Sequence, residues 1–151
     1  MKVNIIKAAQ KDICELARLF DLYRQFYGCE PNLSLAKEFI SERMNNAESE
    51  LFLAVEGDNV IGFTQLYPSF CSVDAVRIYI LYDLYVDECA RSLGVGEALM
   101  NKATEFSKQS GSARIDLLTA NDNKAGQHLY EKLGYNKVNE NFFAYSLNLT
   151  N

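Results

Sequence analysis

Arg91-Ser92-Leu93-Gly94-Val95-Gly96, followed directly by Glu97-Ala98-Leu99-Met100, is the stretch that decides how the chain is read. Upstream, Tyr79 to Val86 (Tyr-Ile-Leu-Tyr-Asp-Leu-Tyr-Val) is aromatic and aliphatic except for Asp83, a buried-strand composition. Downstream, Leu99, Ala103 and Phe106 recur at helical spacing. The local order is strand, glycine loop, helix. A helix N-terminus leaves backbone N–H groups without partners, and the macrodipole favours negative charge there, so the loop is a candidate phosphate cradle. Glycine pairs also serve strand-to-helix turns for backbone conformation alone. The loop by itself leaves both readings open.

Working outward, Val3 to Ala8 reads as a first strand, and Asp12 opens a helical stripe of Ile13, Leu16, Phe20, Tyr23 and Tyr27, stopped by Gly28 and Pro31. Asn32 or Ser34 can cap a second helix through Leu35, Phe39, Ile40 and Met44. Glu50 to Glu56 and Val60 to Tyr67 are strand-like runs joined by Gly57-Asp58-Asn59, a hairpin signal. Gly62 predicts a bulge or a close backbone approach, and Pro68 is expected to end or bend its strand. Ser69 to Asp74 reads as a loop and Ala75 to Val86 as the long strand before the glycines. After a helix over Gly96–Gln109, Arg114 to Thr119 reads as a strand. Asn121-Asp122-Asn123 can cap a helix over Lys124–Leu133, closed by Gly134 as a left-handed C-cap. Tyr135 to Val138 and Phe142 to Leu149 complete the reading as strands. The expected fold class is α/β: one domain over residues 1–151, with a mixed sheet of about six to seven strands flanked by about four helices.

A chain of 151 residues can bury a proper core, and 48% hydrophobic with 23% charged residues is ordinary globular usage. The formal charge of -5 argues against a general nucleic-acid binder, which usually carries a basic face. Cys14, Cys29, Cys71 and Cys89 are widely spread with no C-x-x-C pair, so neither structural zinc nor a disulfide framework is expected. No run approaches the roughly 20 apolar residues of a membrane helix, and Met1 to Lys7 has no signal-peptide h-region. The expectation is a cytoplasmic protein without nucleic-acid or membrane partners and without a metal.

Three segments in sequence then resemble the GNAT superfamily of N-acetyltransferases. These are Tyr82-Asp83-Leu84-Tyr85-Val86-Asp87; Arg91-x-x-Gly94-x-Gly96; and Asn123-Lys124-Ala125, leading to Leu129-Tyr130-Glu131-Lys132-Leu133-Gly134-Tyr135. The resemblance implies acetyl-CoA as co-substrate, with its pyrophosphate received by Arg91, Ser92, Leu93, Gly94, Val95, Gly96 and Glu97. It also implies backbone hydrogen bonds from Leu84, Tyr85 and Val86 to the pantetheine arm, where their strand splays from the Arg114–Thr119 strand. The ligand would complete a ladder that is otherwise unsatisfied. Asn123 is similar to the family's side-chain contact to that arm, and it can also cap its helix, since an amide has separate donor and acceptor atoms. Tyr130 corresponds to the general acid: a phenol near the leaving thiolate can protonate or hydrogen-bond it. Its bland alternative is a buried aromatic.

The acceptor must lose a proton, because a lysine-like ammonium, with a pKa of about 10.4, cannot attack. Asp83 is the candidate base, directly or through water, or else a hydrogen-bonded structural carboxylate. Polyamine-type acetyltransferases have an acidic pair at this point, whereas here its first position is Tyr82. The resemblance implies direct attack in a ternary complex, which makes Cys71 and Cys89 bystanders. Tyr23, Tyr27, Tyr67 and Asp83 are the candidate acceptor-binding residues, since aromatic walls with an acid suit a small amine, polyamine or amino-acid-like molecule. His128 lies two residues before Tyr130 and faces another side of the helix. Homodimers are common in the superfamily, and Phe142 to Leu149 is available as an interface strand. Two other readings use the same residues: an acetyl-CoA-sensing module without turnover, and a protein or peptide N-acetyltransferase. A dinucleotide-binding oxidoreductase and a P-loop NTPase are disfavoured, because the spacing is not G-x-G-x-x-G and no Gly-Lys-Ser/Thr follows.

Overall fold

The long central strand is where the sheet is built from. In a computed structural model describing residues 2–138 and 140–150, five strands are ordered β1-β2-β3-β4-β5. They are β1 (Asn4–Lys7), β2 (Glu50–Glu56), β3 (Asn59–Cys71), β4 (Val76–Val86) and β5 (Ile115–Asp116). The first four pair antiparallel and β5 joins β4 in parallel, as expected where a helix makes the crossover. The helices are α1 (Ile13–Phe26), α2 (Leu33–Asn45), α3 (Val95–Gln109) and α4 (Lys124–Lys132), with short 3-10 turns at Gln10–Asp12 and Glu88–Ala90. Two compact units are distinguished: one ends at Leu118 and contains the sheet with α1 to α3, and the other starts at Thr119 and contains α4. Among the described residues no helix is long and apolar enough to cross a membrane.

Strand alternation assigns each side chain to a face. On one face α1 and α2 bury Leu16, Leu19, Phe20, Ala36 and Ile40 against Leu51, Leu53 and Phe63. On the other, Phe106 of α3 packs edge-on to Phe52 (5.3 Å) and tilted to Tyr79 (5.7 Å). Asn32 caps α2 by accepting from the Leu35 N–H at 3.1 Å, as read from the sequence. Gly62 shows both expected features. A Cβ there would stand 3.1 Å from the Tyr85 carbonyl and 3.3 Å from Leu99 Cδ1, so its absence lets the start of α3 lie close on the sheet. The pairing slips beside it: Gly62 faces Ala54 while Val60 faces Val55, which leaves Ile61 as the extra residue of a bulge.

Three expectations are corrected. β3 runs through Pro68 to Cys71, so Pro68 does not end it and the expected loop is shorter. Past Leu66, β3 has left β2 and pairs only with β4, so a residue without an N–H is tolerated beside an open edge. β5 is reduced to Ile115–Asp116. The sheet has five strands rather than six or seven, because neither Tyr135 to Val138 nor Phe142 to Leu149 forms one. Alternation of Phe143, Tyr145, Leu147 and Leu149 supplies a face, but a strand also requires a neighbour's ladder, which the pattern cannot specify.

Candidate active site

β4 outlasts its parallel neighbour. β5 pairs only with Tyr79 and Ile80, so the same edge of β4 from Leu81 to Val86 has no β5 partner. That is the splay expected at Leu84, Tyr85 and Val86: β5 does not extend beside them. At the end of β4, Arg91 turns back: its Nε donates to the Val86 carbonyl at 3.0 Å, and its guanidinium lies 5.3 Å from the Tyr85 ring centre. The 3-10 turn before the loop is bolted down from α1. Arg18 pairs with Asp87 at 3.1 Å and donates to the Val60 carbonyl, while Asp87 accepts from the Glu88 N–H.

The loop itself has the backbone its glycines suggested. Gly94, at φ +82°, is the N-cap of α3 and has no side chain to place over the first turn. A Cβ added there would meet nothing within 4 Å, so the approach to the helix N-terminus is open. Ser92 is also left-handed, at φ +63°, a conformation uncommon for serine and recurrent at ligand clamps. Ser92, Leu93 and Gly94 are exposed, Gly96 and Glu97 half-buried, and Val95 buried as the anchor of the helix. The first N–H groups of α3 thus follow an exposed, left-handed turn with no side chain capping them, the kind of helix start at which an anion can be held.

Asp83 occupies the middle of β4 and is 2% exposed. Its position follows from a second bulge: Gln65 faces Asp83 and Leu66 faces Leu81, so Tyr82 is the extra residue and its side chain is turned outward. The Asp83 carboxylate accepts from Gln65 Nε2, and Ser49 Oγ donates to Gln65 Oε1 at 2.7 Å. Tyr23 of α1 donates its one phenolic proton to the Tyr82 carbonyl at 3.0 Å, and the same hydroxyl favours the charged form of the Asp83 carboxyl. Burial pushes Asp83 up to about 6, with Gln65 and then Tyr23 pulling against it. Burial also raises the Tyr23 phenol, and it raises Tyr67 to about 12, with the Asp83 charge adding to both. Tyr67 and Tyr82 meet edge to face at 5.7 Å, and Tyr27 packs the same way on Tyr23 at 5.2 Å.

In the second unit, Asn123 caps α4, accepting from the Gly126 N–H at 3.1 Å and donating to Thr119 Oγ1 at 3.0 Å. A Cβ at Gly126 would come within 2.5 Å of Asn123 Nδ2, so glycine there makes room for the amide. Tyr130, seven residues after Asn123, shares its helix face and lies 6.1 Å from the Tyr135 ring. Gly134 at φ +95° ends the helix as predicted: Gly134 N–H donates to Glu131 and Tyr135 N–H to Tyr130, a Schellman closure. His128 is exposed.

Of the predicted acceptor residues, Tyr23, Tyr67 and Asp83 converge, and Tyr27 packs on Tyr23. Sequence reading missed Gln65 and Ser49. The signal was present, since Thr64-Gln65 is a polar pair inside the run Val60 to Leu66, and both are fully buried.

The profile of the Acetyltransferase (GNAT) family matches residues 16–135. The chain belongs to that family. It is 40% identical over 147 residues to an uncharacterized N-acetyltransferase, YhfO, of Bacillus subtilis (strain 168), covering 97% of this chain and 98% of that one. A probable acetyltransferase of Haemophilus influenzae is 36% identical over 75% of this chain and 78% of its own. The crystal structure of a probable acetyltransferase superposes with a TM-score of 0.90 at 34% identity, covering 98% and 99% of the two chains. GNAT membership makes this chain an acetyl-CoA-dependent N-acetyltransferase. The α3 N-terminus, which has no side-chain cap, and the stretch of β4 that β5 does not reach are chemically suited to the diphosphate and the amide-bearing arm of that co-substrate.

Proposed function

We propose that this GNAT enzyme acetylates the primary amine of a small molecule, such as an amine, polyamine or amino-acid-like acceptor, by direct attack in a ternary complex. One observation carries the reading: a buried carboxylate at the β4 bulge with the phenols of Tyr23 and Tyr67 beside it. An ammonium ion is attracted both by the carboxylate and by the faces of the rings. With its carboxyl held at about 6, Asp83 is mostly ionised at neutral pH and is closer in proton affinity to an amine than an ordinary aspartate.

The step balances as follows. Asp83 takes a proton from the ammonium; the freed lone pair forms the N–C bond to the thioester carbonyl carbon. The C–S bond then breaks, and Tyr130 gives its phenolic proton to the departing sulfur. The second nitrogen proton passes to the Tyr130 phenolate, directly or through water, which leaves a neutral amide and restores the phenol, and Asp83 releases its proton to solvent. Leu84 to Val86 hold the arm of the co-substrate, Arg91 to Glu97 its diphosphate, and Asn123 adds a side-chain contact. Both compact units belong to one N-acetyltransferase domain in this reading, supported by a family match that runs across their boundary. Cytoplasmic location and a homodimer remain part of the proposal.

A turnover screen tests it. Thiol release from acetyl-CoA is measured with a panel of small amines, polyamines and amino acids, and with lysine-containing peptides. Release with a small amine is the expected result; acetylation confined to peptide lysines would overturn the acceptor class. Native mass spectrometry that finds retained acetyl-CoA, with no amine-dependent release, would instead favour a sensing module.

A further inference from the structure

Gln65 is a fully buried amide on a strand whose neighbours are otherwise apolar or Thr64. Such a group is expensive to bury unless its donors and acceptor are used. Both ends are used here, and in a defined order. Ser49 Oγ donates to Oε1 at 2.7 Å, and Nε2 donates to Asp83 Oδ2. Rotating the amide by half a turn would set its carbonyl oxygen against the carboxylate, so the anionic partner fixes the orientation and the serine completes it. A chain of Ser49, Gln65 and Asp83 therefore runs from β2's start through β3 to the bulge of β4.

We infer that Gln65, locked by Ser49, is a positioning residue for the proton transfer, aiming the Asp83 carboxylate and keeping it ready to accept the amine's proton. The inference rests on the reading of Asp83 as the base. The titratable groups that act on this carboxyl are Tyr23 from α1 and Tyr67 from β3, and Tyr82 of β4, turned outward, acts on those two phenols. Arg43 of α2 and Glu48 after it act on Tyr67. Burial drives the carboxyl toward its neutral form, and Gln65 is the larger of the two hydrogen-bond donors that oppose it, ahead of Tyr23. Among the described residues no lysine or arginine pairs with Asp83, and the amide takes the place such a cation would hold.

The test combines two pH titrations on wild type and Gln65→Met, whose side chain has similar volume but no donor. Asp83 is followed by its carboxyl carbon resonance in NMR, identified by its loss in Asp83→Asn, and the acidic limb of kcat is followed with the best amine of the panel. We expect both midpoints to rise by about one to two pH units in Gln65→Met, with kcat recovered at high pH. Ser49→Ala, at a half-buried site, should move them in the same direction by less, which covers the case in which Gln65→Met fails to fold. A merely structural role would scale kcat equally at every pH. An unmoved Asp83 resonance overturns the inference alone. A resonance that moves while the kinetic limb stays fixed overturns the assignment of Asp83 as base, and the inference with it.

Discussion

The glycine loop and the Asp83 pocket lie only a few residues apart along the chain, yet they are made of opposite materials. The loop is backbone: a left-handed Gly94 with open space above it, a left-handed Ser92, and the first N–H groups of α3. The pocket is side chains gathered from four places, Tyr23 from α1, Ser49 before β2, Gln65 and Tyr67 from β3, and Asp83 from β4. A backbone cradle recognises what every acyl donor of one type shares, its diphosphate. A pocket of side chains can be altered one residue at a time without disturbing the sheet. In the proposed reading the loop serves the donor and the side-chain cluster the acceptor. That division predicts that substitutions in the two regions separate donor affinity from acceptor chemistry.

Removing the charge at the centre of the pocket should give the largest effect. Asp83→Asn is expected to lower kcat by about 10²–10⁴-fold with acetyl-CoA affinity unchanged, measured by steady-state kinetics and calorimetry. Stability should move the other way. Burial raises the carboxyl from 3.8 in the unfolded chain to about 6, so the folded protein holds that proton more tightly. The stability this gives is fully present below pH 3.8 and lost as pH rises through about 6. At pH 7.5 the aspartate is buried as an ion, and Asp83→Asn should stabilise by up to about 3 kcal/mol, read as a higher Tm. The wild-type kcat should correspondingly fall as pH drops below about 6. A Tm gain that persists at pH 4 would show that the charge is not its cause.

Tyr130→Phe comes next. Loss of the phenolic proton should lower kcat by about 10²-fold while the dissociation constant of acetyl-CoA stays nearly constant. An unchanged kcat would take Tyr130 out of the chemistry. On the loop side, Gly94→Val is expected to weaken acetyl-CoA binding by at least about tenfold. A side chain there projects into the open space above the cradle, and φ +82° is strained for any residue with a Cβ. Binding at wild-type affinity would refute the loop as the diphosphate site.

The same division explains what could be read before any coordinates existed. Arg91-x-x-Gly94-x-Gly96 is contiguous, and the need for left-handed backbone at Gly94 writes itself as glycine, so the turn into α3 was legible. Helix caps at Asn32 and Asn123 and the Gly134 closure were legible for the same reason, being local. The pocket was only half legible. Asp83 stood out as one acid in an apolar strand, but its partners lie 18 and 34 residues away in sequence at Gln65 and Ser49, and no spacing rule joins them. Pro68 misled because its penalty depends on whether a neighbouring strand is present, which is a property of the sheet and not of the residue. The expected strands after Gly134 failed likewise, since alternation names a face and says nothing of a partner.

The smallest effect is the one that best probes where the two regions meet. Tyr23→Phe keeps the ring, which stacks on Phe20 at 6.1 Å and meets Phe63 and Tyr27 edge-on at 6.0 and 5.2 Å, so the packing of α1 should survive. Only the hydroxyl is lost, and with it the hydrogen bond to the Tyr82 carbonyl at the bulge. A single bond of this kind contributes about 1 kcal/mol. The bulge aims Asp83, so the KM of the amine should rise and kcat fall, each by about two- to fivefold. The acidic limb should shift upward slightly, because Tyr23 is the weaker of the donors that oppose burial of the carboxyl. Acetyl-CoA affinity should not change, because the groups assigned to it, Leu84 to Val86 of β4, Arg91 to Glu97 at the α3 N-terminus and Asn123, do not include Tyr23. If acetyl-CoA affinity fell as much as the amine's KM rose, the bulge would be serving donor and acceptor together, and the separation between backbone cradle and side-chain pocket would fail at Tyr82.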